Sequence, residues 1–303
     1  DIVDKGLLDK DITIGNALVD MYAKCGMLVK ARKLLEELPV RDIVSWSGLI
    51  SGYAQQGKGE IAIKVFKKML RNRVRSNEVT LVSILDACAN ESDAMMGDAV
   101  FDSIINTGYE LDVILGTALV NMYGKCKKLE DAQNVFDTMP ERNVITWNAL
   151  MTAYVENGNG NEVLHLFELM KQTGIFADHV TLLNVFDACA LELDFPNGQQ
   201  TYACMIISGV DLDVVLGSSL ISMYGKCHSL EDSNIVFNRL NHKTVVSWNA
   251  VLTACRQNMH ETMALALFHQ MENEHVEPDK ITYICALDAC ASIAALSEGE
   301  SIH

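Results

Sequence analysis

The chain is predicted to be an all-α solenoid of helical pairs wound as a right-handed superhelix, and three observations predict it. Trp46, Trp147 and Trp248 stand 101 residues apart, each within a near-copy of one segment: IVSWSGLISGYAQQG, VITWNALMTAYVENG and VVSWNAVLTACRQN. Each period of 101 residues divides into units of 31, 35 and 35, lengths that suit two helices and a turn. Within a unit the apolar residues keep helical spacing on both sides of a break: Leu18, Met21 and Tyr22, then Ala31, Leu34, Leu35 and Leu38 beyond Gly26. One such pair cannot bury its apolar face alone, so neighbours stack and the first helices are expected to line a concave surface. Strand readings of VVSW or VTLV are too short, because the helical period continues past them.

Taken in order, residues 1–11 read as the tail of a truncated unit. A short unit follows at 12–42 with the form GxxLxxMYxKCxxL, repeated in 113–143 and 214–244. A Trp unit occupies 43–77, 144–178 and 245–279, with Phe66 and Met69, Phe167 and Met170, and Phe268 and Met271 after the Trp. The third kind, at 78–112 and 179–213 and as a partial copy at 280–303, carries DACA from Asp86, Asp187 and Asp288, then Gly97, Gly198 and Gly299. The Trp and Met residues on this lattice read as core. Gly15, Gly116 and Gly217, which replace Trp in the short units, are expected to let helices approach closely.

With 49% hydrophobic residues the chain can bury a substantial core. No apolar run approaches the roughly 18 residues of a membrane span. It opens DIVDK, without Met or a basic leader, so a targeting peptide is expected to lie outside it. Lys and Arg number 24 against 40 Asp and Glu, a net charge of −16, which argues against nonspecific polyanion binding. Six of nine Cys follow the lattice (Cys25, Cys126, Cys227; Cys88, Cys189, Cys290) with no CxxC, and read as small buried hydrophobes rather than a disulfide or zinc framework. His275-Val-Glu277 matches the HxE of zinc deaminases, but no PCxxC follows it. Without an HExxH, a phosphate-cradling loop or a Ser/His/Asp arrangement, neither an enzyme nor a cofactor is expected.

A unit that begins V/I-V/I-S/T-W-N, ends in Asp or Asn and alternates with a 31-residue variant resembles the plant organellar pentatricopeptide repeat family, in the subclass built from P, L and S motifs. The short, Trp and DACA units correspond to S, P and L. The resemblance implies single-stranded RNA binding in a mitochondrion or chloroplast, one base per repeat, read by the fifth and last residues of each unit. It also implies service to C-to-U editing, whose chemistry in the family sits in a C-terminal extension that this chain does not contain.

On that resemblance the reading pairs are Asn16 with Asp42, Ser47 with Asn77, Thr117 with Asn143, Asn148 with Asp178, Ser218 with Thr244, and Asn249 with Asp279. An Asn amide offers a base edge both donor and acceptor, and the last Asp can accept a bond and orient that amide. Val82, Leu183 and Ile284 hold the fifth position of the L units and cannot hydrogen-bond a base, so the target is expected to be U A n A U n (A/G) U n. The second residue of each unit, which the family uses to sandwich the base, is Val44, Val79, Ile114, Ile145, Val180, Val215, Val246 or Ile281, with Thr13 the exception.

Lys24, Lys125 and Lys226 end the first helix of the short units, within reach of a backbone phosphate, although a cation there also complements the helix dipole. By resemblance the L units are the places for organellar RNA editing factor proteins to dock, and apolar faces at the two ends leave homodimerisation open. The competing reading is a protein-binding scaffold of the tetratricopeptide kind, favoured by the negative charge and the apolar fifth residues of the L units.

Overall fold

A computed structural model describes residues 12–294 and Gly299; the predicted tail at 1–11 and most of 295–303 lie outside the described residues. Every ordered element among them is a helix, and no helix is long and apolar enough to cross a membrane. The chain forms two compact units, residues 1–153 and 154–303. The first contains α1 (Ile12–Lys24), α2 (Leu28–Glu37), α3 (Ile43–Gln55), α4 (Gly59–Arg71), α5 (Glu78–Glu91), α6 (Ala94–Thr107), α7 (Val113–Lys125), α8 (Leu129–Thr138) and most of α9 (Val144–Glu156). The second contains α10 (Gly160–Gln172), α11 (His179–Glu192), α12 (Phe195–Ile207), α13 (Val214–Lys226), α14 (Leu230–Arg239), α15 (Val245–Gln257), α16 (Glu261–Asn273) and α17 (Lys280–Ser292).

Within each unit a helix of odd number packs on the even one that follows it and on the next odd one, so α1, α3, α5 and α7 form one stack and α11, α13, α15 and α17 another. The odd helices are enclosed by neighbours on several sides, as α3 shows by burying Trp46, Leu49, Ile50 and Tyr53. The even helices bury one stripe, in α4 Ala62, Val65, Phe66 and Met69, and turn Lys64, Lys67 and Lys68 outward. Turns within a pair pass through a left-handed residue: Gly26 in the first short unit, and Lys127 and His228, at less favourable cost, in its counterparts.

The Trp residues are core, as expected: Phe136 meets Trp147 edge-on at 4.8 Å and Phe237 meets Trp248 at 4.6 Å. The glycines that replace them have a different purpose from the one expected. A Cβ on Gly15, Gly116 or Gly217 would lie 2.5 Å from the side chain of Leu38, Met139 or Leu240, which caps the C-terminus of the even helix in the same pair. Those glycines seat one side chain. Close helix approach is instead the task of Gly52, Gly124 and Gly225, whose Cβ atoms would meet Ala23, Ala153 and Ala254. For Gly225 the clash is 2.5 Å to the Ala254 Cβ and 3.0 Å to its Cα, so α13 and α15 would have to separate. Gly225→Ala is expected to cost about 1–3 kcal/mol, read as a lower urea midpoint at unchanged slope; an unchanged midpoint would mean the two helices part freely.

Two expectations about lattice residues need correction. Cys88, Cys189 and Cys290 are buried, but Cys126 and Cys227 are half-buried and Cys25 is exposed. Met122 and Met223 are fully buried against Gly97 and Gly198 of the preceding pair, whereas Met21 is 41% exposed. Burial pushes the Cys88 and Cys189 thiols up to about 12, which makes them poor nucleophiles and supports a packing role.

Candidate nucleic-acid interface

The last residue of each sequence unit is the N-cap of the odd helix that follows. Asp42 caps α3 through the Ser45 N–H at 3.0 Å, Asn77 caps α5 through Thr80, Asp112 caps α7 through Leu115, and Asn143 meets the Thr146 N–H at 3.1 Å. Asp178, Asp213 and Asp279 cap α11, α13 and α17 in the same way. Thr244 precedes α15, and its N–H donates to the Ser247 hydroxyl. Capping accounts for the residue type at this position without reference to a ligand. It had a legible signal, the Ser or Thr three residues later in Asp178–Thr181, Thr244–Ser247 and Asp279–Thr282.

What capping leaves over is the second carboxylate oxygen. Asp42 caps with Oδ1, while its Oδ2 accepts a 3.0 Å bond from the Asn16 amide. Asn249 donates to both oxygens of Asp279 at 2.9 and 3.0 Å, and its carbonyl accepts from the Thr282 hydroxyl at 2.6 Å. The fifth and last residues of these two units are therefore in contact, and the amide is held in one orientation. Asn148 is buried on α9, apart from Asp178 in sequence by 30 positions. Where the fifth residue carries a hydroxyl it turns elsewhere: Ser47 and Ser218 donate to their own helix at the carbonyls of Ile43 and Val214, and Thr117 pairs with Thr146. Their proposed partners Asn77, Thr244 and Asn143 serve as caps or cap-side contacts.

Beside these groups, at the second position of the helices, stand Val44, Val79, Ile114, Ile145, Val180, Val215, Val246 and Ile281, all between 45% and 60% exposed. An exposed β-branched residue at one register of eight successive odd helices is not explained by packing, which these side chains hardly join. In the short and Trp units this face, at Val44, Ile114, Ile145, Val215 and Val246, lies within a turn of a polar group at position five: the buried Ser47, Asn148, Ser218 and Asn249, and the half-buried Thr117.

The electrostatics are those of anchored carboxylates. Burial would raise the Asp42 carboxyl, but the Ser45 N–H and the Asn16 amide outweigh it and bring it below the usual range. The Thr282 N–H does the same for Asp279, with the Asn249 amide adding to it. Cations are scarce and partly engaged. Lys24 is paired with Asp20 at 2.8 Å, desolvation raises the Asp86 carboxyl with Lys125 only partly offsetting it, and Lys226 closes α13. Arg41 and Arg142 each donate to two carbonyls at the end of the preceding even helix. Val82, Leu183 and Ile284 place only hydrocarbon at the fifth position of the DACA units.

Comparison with known proteins identifies the repeat. The PPR repeat family model matches residues 41–90, 142–190 and 243–292, and the PPR repeat model matches 16–43 and 117–144. A pentatricopeptide repeat-containing protein of Arabidopsis thaliana is 36% identical over 95% of this chain. A chloroplastic relative from the same plant is 34% identical over 97% of the chain, and a mitochondrial one 36% over 90%. The chain spans 40%, 36% and 43% of the lengths of these three relatives. Among solved structures, the pentatricopeptide repeat protein PPR10 in complex with an 18-nt psaJ RNA element matches with a TM-score of 0.79 and 17% identity, over 97% of this chain and 44% of that one. A crystal structure of the pentatricopeptide repeat protein PPR10 from maize matches with a TM-score of 0.77 at 17% identity. At that identity the likeness is one of fold, an all-α repeat solenoid. The chain belongs to the PPR repeat family.

Proposed function

We propose that this chain is a sequence-specific single-stranded RNA-binding module, one base per helical pair, that works in a chloroplast or mitochondrion within a longer RNA-processing factor of the P, L and S subclass. The observation that carries the reading is the juxtaposition, repeated in the short and Trp units from Ile43 onward, of an exposed Val or Ile face with a polar group at position five; in Asn249 that group is locked by the carboxylate of the next helix cap, as Asn16 is by Asp42. A base laid against Val246 meets an amide whose donor and acceptor are already oriented, so little entropy is lost in reading it. Ser47 and Ser218, donating to their own helix, keep lone pairs for an amino group such as that of adenine. Chemistry on the RNA, including C-to-U editing, would belong to other parts of the factor or its partners.

Few cations flank the site and the net charge is −16, so affinity is expected to be moderate with a shallow salt slope. Fluorescence anisotropy on a nine-nucleotide RNA with U, A, A, U and U at positions one, two, four, five and eight, against one with those bases exchanged, tests this at two salt concentrations. Tighter binding of the first RNA, by about tenfold or more at both salts, is expected. The acidic surface and the apolar fifth residues of the DACA units favour a protein-binding scaffold as the second reading, and equal or absent binding of both RNAs would put it first.

A further inference from the structure

The DACA units exchange the chemistry of two positions that share one helix face. In the short and Trp units position one is apolar (Ile12, Ile43, Val113, Val144, Val214, Val245) and position five carries an amide or hydroxyl. In the DACA units position five is Val82, Leu183 or Ile284, and position one is ionisable: Glu78, His179 or Lys280. Residues four apart on a helix lie one above the other, so the polar group has moved one turn without leaving its face.

In the second DACA unit the moved group makes the contact that an amide makes elsewhere. Asp213 caps α13 with Oδ1, receiving the Leu216 N–H at 2.9 Å, and its Oδ2 is bonded to His179 Nε2 at 2.9 Å. Asp42 divides its oxygens in the same way between Ser45 and Asn16. The His179 side chain is 40% exposed and adjoins Val180, the exposed apolar residue of this helix. The carboxyl of Asp213 lies below the usual range, with the Leu216 N–H and His179 overcoming the effect of burial.

We propose that His179 reads the base at the sixth position, which Leu183 alone would leave unread, and that it selects amino bases over keto bases. In the neutral imidazole, Nε2–H donates to Asp213 and Nδ1 is left as an acceptor. At purine C6 and pyrimidine C4, adenine and cytosine present an exocyclic N–H to such an acceptor, whereas guanine O6 and uracil O4 present lone pairs that oppose it. This inference rests on the RNA-binding reading, and its test separates the two.

The test is anisotropy at pH 8 with the full chain and four nine-nucleotide RNAs that differ only at the sixth base, together with a U-to-A change at the eighth. Adenine and cytosine are expected to bind about fivefold more tightly than guanine and uracil, the worth of one hydrogen bond. His179→Phe should make the four equal while leaving the eighth-base U preference intact, which also shows that the variant is folded. Four equal bases in the unaltered chain, or an amino preference that survives His179→Phe, would overturn the inference while the eighth-base preference stands. Loss of the eighth-base preference in the unaltered chain would bring down the RNA reading and this inference with it.

Discussion

Asn249→Thr combined with Asp279→Asn is expected to turn a U preference at the eighth base into an A preference, with each base changing in affinity by about tenfold. Asn249 now has its amide on Asp279 at 2.9 and 3.0 Å and its carbonyl on the Thr282 hydroxyl, so it shows a base one fixed pattern of donor and acceptor. A Thr hydroxyl with a neutral Asn partner is the arrangement already present in the Thr117 and Asn143 unit. The exchange should leave the fold intact, because Asn caps a helix as well as Asp does, and Asn77 and Asn143 already do so here. Binding of RNAs that carry each of the four bases at position eight measures the outcome. An unchanged order of affinities would show that these two side chains do not read a base.

Trp248→Ala is expected to lower stability by roughly 3–5 kcal/mol, the largest single effect of a core truncation here. The ring is fully buried, meets Phe237 edge-on at 4.6 Å and lies 6.0 Å beneath the Lys243 ammonium. Its Nε1, like those of Trp46 and Trp147, is buried without a hydrogen-bond partner, so the loss is one of packing and not of hydrogen bonding. Trp248→Phe, which removes that unpaired N–H and keeps an aromatic ring, should cost much less. In a stack whose members touch only their neighbours the damage should be local, with early exchange of amides in α14, α15 and α16. A loss of unfolding free energy below about 1 kcal/mol from urea titration, with uniform exchange, would show that the surrounding pairs close over the space.

Much of the fold was legible because its information is local. The 3.6-residue spacing and the breaks at Gly26 and Gly57 locate helices directly, and the observed helices start at Ile43, Glu78, Val113, Val144, His179, Val214, Val245 and Lys280. Burial of the Trp series followed from a large apolar residue at a register surrounded by apolar neighbours. The capping role of the last residues is equally local, carried by pairs such as Asp279 and Thr282 three positions apart.

Other features depend on residues distant in the chain. Gly15 makes room for Leu38, a side chain 23 positions away, and not for another helix. Met122 is buried against Gly97, 25 positions earlier, so its burial is set by the preceding pair and not by its sequence neighbours.

By itself the sequence determined the helices, their pairing and the residue types at positions one, two, five and last, since helical period and cap chemistry act within a few residues. Only the tertiary structure decided which oxygen of each cap remains for a second bond and which side chain takes it. Asn16 reaches Asp42 and His179 reaches Asp213 across 26 and 34 positions of chain, and only the packing of consecutive odd helices brings those atoms to within 3.0 Å.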